Sequence, residues 1–203
     1  MKKIEPKLYL DDQRVCDIRN AVEQRAAWLY LLTEEAEKRG LDLDFAGSAI
    51  YNCGLIYKDR RIDVDQDDMV AYAKEFFAEW GQKVFEQDCK FDEDEIEVVF
   101  HYCPLMASWQ KLTDDDDRIG KLCDVAMEGD RGIFSLVEGA TFHLDSTLAE
   151  GAPVCRLRLV KDKKKVQSCD STKIVLSGIS MRRTRGKSPA RRIDPVFSSE
   201  GRR

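Results

Sequence analysis

Apolar positions in the first 81 residues recur at helical spacing and divide the segment into three helices. Val15, Ile18, Val22, Ala26, Leu29 and Leu32 form one stripe over 13–39, which Gly40 ends. Phe45, Ala49, Ile50, Cys53 and Ile56 form a second over about 43–57. Met69, Val70, Ala73, Phe76, Phe77 and Trp80 form a third over about 66–81, ending at Gly81. The three are expected to be a helical layer, 12–81, whose main task is packing. From about residue 95 the pattern changes. Ile96 to Cys103 is rich in β-branched and aromatic residues and reads as a strand. Pro104 then opens a short helix to Trp109 or Leu112, and a longer helix follows over about 115–137. Segments 141–148 and 154–160 read as strands, joined by Glu150-Gly151-Ala152-Pro153. Helices first, then a β-α-α-β-β unit with a small antiparallel sheet, make an α+β fold. The pattern predicts one domain over 1–160, with the α+β core at 95–160. Thr172 to Ile179 is a further edge-strand candidate.

Two acidic runs sit where helices begin. Asp63 to Asp68 has calcium-loop spacing at first sight, but Asp68 and Lys74 occupy the positions that need glycine and glutamate. Both that run and Thr113 to Asp117 are read as caps and acidic first turns, which favour the positive end of a helix dipole.

The 203 residues are 43% hydrophobic, enough for a buried core and too much for a wholly disordered chain. The longest apolar runs, such as Trp28 to Leu32, fall far short of the roughly 20 residues that span a bilayer. Acidic residues interrupt the segment after Met1-Lys2-Lys3, so no signal peptide is read. The expected location is the cytosol, without membrane association. The net charge of −5 hides an asymmetry. Residues 161–203 hold 13 Lys+Arg against 4 Asp+Glu, leaving 20 against 34 in the first 160. The acidic body offers nucleic acid little attraction. Any such binding falls to the basic extension 161–203, which is expected to be largely disordered after about 181.

Seven cysteines (16, 53, 89, 103, 123, 155 and 169), odd in number and widely spaced, read as free thiols. Cys16 and Cys53 fall on or beside the helical stripes and read as core. Cys103 differs: it ends a strand and precedes Pro104, a residue favoured at the first position of a helix. At such an N-cap a thiol faces free amides and the positive end of the helix dipole, which favours the thiolate. His101 shares the strand face of Cys103 and is placed to take its proton. The plain alternative is a buried cysteine at a strand end, with His101 in solvent. In helix 115–137, Asp130 lies seven residues after Cys123 on a stripe with Ile119, Leu122 and Ala126. A carboxylate there must be paired or hydrogen-bonded, as a functional acid or base or as a structural cap. His143, Asp145 and Thr147 alternate on one strand face that reads as outward and polar. Cys155 opens the last strand, either in the core or at a site in the mouth of the turn. No close ligand pair such as C-x-x-C announces a metal site, and none of the common phosphate-cradling or nucleophile-elbow motifs occurs. Neither metal nor cofactor is expected.

Taken together these residues resemble the L-2-amino-thiazoline-4-carboxylic acid hydrolase family. The matching run is His101-Tyr102-Cys103-Pro104-Leu105, Trp109, Leu122-Cys123, Asp130, Phe142, Thr147-Leu148-Ala149-x-Gly151 and Cys155-Arg156-Leu157. Arg25-Ala26 and Glu35-Ala36 to Gly40 are similar more weakly. The resemblance implies a hydrolase that adds water to a cyclic amidine or thiazoline, opening a C–N or C–S bond of a small-molecule substrate. Cys103, Asp130 and His101 are then the catalytic candidates, with the Cys103 thiolate as nucleophile or polarising group. Cys123, Thr147, Cys155 and Trp109 would shape the pocket. One departure stands out: Ala152-Pro153 follows Gly151 where the family usually has Gly-Asp. The strand pattern and the Thr-Leu-Ala-x-Gly turn are also similar to vinyl-reductase-like ligand-binding domains, which implies a non-catalytic sensor as the alternative. A homo-oligomer is open.

Overall fold

In a computed structural model of the chain, residues 1–8 and 12–162 are described (for 59 and 61, the backbone alone). The edge-strand candidate at 172–179, Cys169 and the tail lie outside them. The helical half is α1 (Gln13–Glu37), α2 (Asp44–Arg61), α3 (Met69–Phe76) and α4 (Glu79–Phe85). Then come β1 (Gln87–Phe91), β2 (Glu95–Phe100), α5 (Pro104–Leu112), α6 (Asp116–Phe134), β3 (Ala140–Ser146) and β4 (Cys155–Lys161). The fold is α+β, with helices first and one open antiparallel sheet in the order β1-β2-β4-β3.

Several elements differ from the periodicity. The expected helix 66–81 is two helices, because Phe77 leaves helical geometry at φ −89°, ψ 51° to lay its ring on Phe134. Strand β1 was not anticipated: its residues alternate half-buried and exposed, and the half-buried set is only Gln87, Cys89 and Phe91. The strand expected over 141–148 stops at Ser146, where Thr147 caps a single 3-10 turn, Leu148–Glu150. The acidic runs do what their position implied. Asp68 accepts from the Ala71 N–H and Asp115 from the Arg118 N–H, each at a helix start.

Burial reverses part of the helix reading. Helix α1 turns Val15, Arg19, Ala26, Tyr30 and Thr33 inward, and Leu32 is 65% exposed. Helix α2 packs on α6 through its small residues. A Cβ on Gly54 would collide with the Gly129 carbonyl, and one on Gly132 with the Tyr51 carbonyl. The stripe of Phe45, Ala49, Cys53 and Ile56 therefore faces outward, and Cys16 and Cys53 are exposed rather than core.

Two apolar clusters result. Tyr72, Phe77, Phe134 and Val137 pack against Ile96, Val98, Leu157 and Leu159 of the sheet. The second joins Ala26 and Tyr30 of α1 to Met106 and Trp109 of α5, Ile119 and Leu122 of α6, and Leu148. Half-buried Cys103, Cys123 and Cys155 pack against it. This second cluster positions the candidate site.

Candidate functional site

Pro104 occupies the first position of α5 and fixes Cys103 as the N-cap in extended geometry. That much follows from Cys-Pro. The electrostatics do not: burial pushes the Cys103 thiol up, and the amides of Leu105 and Met106 and the charge of Arg25 only partly offset it. Desolvation of a would-be thiolate outweighs one helix end. Cys103 at rest is a neutral thiol.

Two more thiols share its surroundings. Cys123, on the face of α6, and Cys155, at the start of β4, are each raised first by burial and then by proximity to Cys103. Cys155 reaches about 12, although its sulfur accepts a 3.2 Å hydrogen bond from the Leu148 N–H. Asp130 faces the same space. Its carboxyl is enclosed by protein, which raises it to about 6, while Arg25 pulls the other way. Asp130 in turn raises Cys103. Three elements, α1, α5 and α6, thus bring Arg25, Cys103 and Asp130 within electrostatic reach. A carboxyl that titrates near neutrality beside a thiol, with one cation at hand, can carry a proton in either direction.

The other candidates stand elsewhere. Strand β2 ends at Phe100, so His101 does not share a strand face with Cys103. The Nε2 of His101 bonds Asp88 Oδ2 at 2.7 Å, and the ring lines a separate cleft of about 460 Å³ with Lys7, Lys83, Glu86 and Asp88. Trp109 is fully buried and donates through Nε1 to the Ala26 carbonyl at 2.9 Å, holding α5 against α1. The Thr147 hydroxyl accepts from the Glu150 N–H and donates to the Glu150 carboxylate. Both brace the walls of the site. His143 and Asp145 are exposed, and Asp145 pairs with Arg158. Among the described residues no group of three or more His, Cys, Asp and Glu side chains is arranged to hold a metal ion. Arg25 is the residue the pattern undervalued: it lies on the exposed side of α1, and only the weak Arg25-Ala26 match signalled it.

The family model described as L-2-amino-thiazoline-4-carboxylic acid hydrolase matches residues 19–159, well over half of the chain and all of these groups. The chain belongs to this family. No curated protein matches it. Among solved structures it is similar to a trafficking protein particle complex subunit 3 from Naegleria fowleri covalently bound to palmitic acid. That likeness has 13% identity, 71% of this chain and 97% of that chain covered, and a TM-score of 0.49, too low to carry functional meaning. Family membership brings hydrolase chemistry into view for the thiol–carboxyl cluster. No helix among the described residues is long and apolar enough to cross a membrane.

Proposed function

We propose that the protein hydrolyses a small cyclic amidine of the 2-amino-thiazoline-4-carboxylate type, adding water at the carbon between sulfur and nitrogen and opening a C–N or C–S bond. The observation that carries this reading is the placement of Asp130 on α6 within electrostatic reach of Cys103, enclosed by protein so that burial raises its carboxyl to about 6. A general acid–base is most effective when it titrates near working pH. Because Cys103 is a neutral thiol, its attack needs a base in the same step. Asp130 takes the thiol proton as Sγ bonds the ring carbon and returns it to the departing ring atom. Water then displaces the sulfur and restores the thiol. Arg25, with the amides at the start of α5, is suited to the substrate carboxylate. Asp130 rather than His101 is the proton carrier here, since the His101 ring is engaged by Asp88.

The test is turnover of 2-amino-thiazoline-4-carboxylate and related cyclic amidines by the full chain, beside Asp130→Asn and Cys103→Ser. Turnover lost in both variants, with folding retained, supports the reading. Loss in Asp130→Asn alone makes water, activated by Asp130, the nucleophile. Wild-type protein inert toward every cyclic amidine overturns it. The burial that holds all three thiols neutral favours one second reading, a non-catalytic ligand-binding domain with an apolar pocket, which predicts a co-purifying ligand and no turnover.

A further inference from the structure

The outward face of α2 carries no charge from Phe45 to Tyr57 in a protein that is 35% charged. Phe45, Ile56 and Tyr57 are 43%, 49% and 41% exposed on it, with exposed Ala49 and Cys53 between them. The inward face is spent on glycine contacts with α6, and Tyr57, at the border of the stripe, meets the Phe76 ring edge-on. Phe45, Ala49, Cys53 and Ile56 are what the described fold leaves over. An exposed contiguous apolar face of this kind marks an interaction surface.

We propose that this face pairs with the same face of a second copy of the chain, the two α2 helices running antiparallel about a two-fold axis near residue 51. Charge and register carry the choice of partner. Arg60, in the last turn, is exposed and falls on the stripe at 100° per residue. Asp42, exposed two residues before the helix, has one carboxylate oxygen on the Asp44 N–H at 3.0 Å and its other oxygen at the opposite end of the stripe from Arg60. A two-fold axis at residue 51 sets Asp42 against Arg60 of the other copy, twice. It also sets Phe45 against Tyr57 and Ala49 against Cys53, so bulky side chains meet at the ends and small ones where the helices are closest. Such self-complementarity is what an isologous dimer requires. The rim charges fix register more than strength. A lipid surface fits less well: cations do not border the stripe on both sides, and the first 160 residues carry 34 acidic against 20 basic groups.

The experiment is sedimentation velocity of the full chain across the micromolar range. A dimer is expected, and Phe45→Glu/Ile56→Glu should weaken it by at least about tenfold without changing the circular dichroism, one tenfold step being ~1.4 kcal/mol. Asp42→Arg alone should weaken it, and Asp42→Arg/Arg60→Asp should restore it. Each Cys53 lies two residues, about 3 Å along the axis, from the two-fold, so a short bis-maleimide should link wild-type dimers and not those of Cys53→Ser. A monomer throughout, a dimer indifferent to Phe45→Glu/Ile56→Glu, or a charge swap without rescue overturns the proposal. So does flotation of a monomer with neutral phosphatidylcholine vesicles that depends on Phe45 and Ile56.

Discussion

The Leu148 N–H donates to Cys155 Sγ across 3.2 Å, tying the 3-10 turn to the first residue of β4. The bond satisfies an amide that the Thr147 cap leaves over and fixes the sulfur against the cluster that also receives Cys103 and Cys123. One amide does not make a thiolate there, because burial of the thiol is the larger effect.

The thiols should therefore divide by reactivity. Cys16 and Cys53 are exposed, whereas Cys155 stands at about 12 against an ordinary 9. Three units are about a thousandfold in thiolate at neutral pH. Mass-spectrometric counting of N-ethylmaleimide adducts in the folded protein should find Cys16 labelled first, with Cys53 beside it at concentrations where the chain is monomeric, and Cys103, Cys123 and Cys155 slower by at least about a hundredfold. In urea all should react alike. Rapid labelling of Cys103 in the folded state would contradict the neutral-thiol assignment.

Asp130 should make stability fall as pH rises. Its folded value, about 6, lies above the ordinary 3.8, so between those values the folded state holds a proton that the unfolded state has released. Stability then declines from about pH 4 to pH 6 and levels off above, by at most about 3 kcal/mol for the two-unit displacement. Asp130→Asn should remove this slope and be more stable than wild type at pH 8. Urea titrations of both proteins at half-unit pH intervals measure it, and parallel pH profiles would show that the carboxyl is not displaced upward. The same group should place a limb near pH 6 in any pH–rate profile.

The α2–α6 contact makes opposite predictions for two glycines. Gly132→Ala drives a methyl into the Tyr51 carbonyl, backbone that cannot step aside, and should cost at least about 2 kcal/mol. Gly81→Ala, in α4 with open space around its Cβ, should stabilise by about 0.5–1 kcal/mol through helix propensity. Thermal melts rank the two, and equal effects would mean that the helices are not in backbone contact.

How much of this was legible depends on whether side-chain pattern or backbone proximity decides each feature. Helices α1 and α6 and strands β2 and β4 declared themselves, because their apolar residues alternate at one clear period. Strand β1 did not, since Gln87, Cys89 and Phe91 make a weak face and nothing like Gly or Pro separates it from α4. The side of α2 that faces inward was misread for a related reason. Gly54 and Gly132 pack by what they lack, and hydrophobic periodicity does not register absence. At the candidate site, Cys-Pro placed Cys103 at a helix start, as found, and the α6 stripe carries both Asp130 and Cys123 within electrostatic reach of Cys103. The sign of the thiol shift was lost because local sequence shows the helix dipole and hides burial. His101 was paired with Cys103 on a strand that in fact ends at Phe100.

Arg19 and Glu86 form the buried ion pair that holds the start of the chain to the sheet. Glu86 accepts from the Lys7 and Leu8 amides at 3.1 and 2.9 Å and from Arg19 at 3.2 Å. Arg19 also donates to the Val84, Lys83 and Leu8 carbonyls and lies over the Tyr102 ring. Glu86 does this from φ 51°, the one non-glycine position at positive φ among the described residues. Its side-chain bonds thus hold a backbone geometry that costs roughly 1 kcal/mol. Glu86→Ala keeps the strain, removes the acceptors and leaves Arg19 without its counter-charge, and should cost about 3 kcal/mol or more. Glu86→Gly should be milder by about 1 kcal/mol, because glycine adopts this geometry freely. Urea melts of both variants, and of Arg19→Met, Glu86→Gln and the double variant Arg19→Met/Glu86→Gln, decide it. If the pair is coupled, the double variant loses less than the sum of its singles by at least about 1 kcal/mol, and strict additivity would mean that the two charges are held independently.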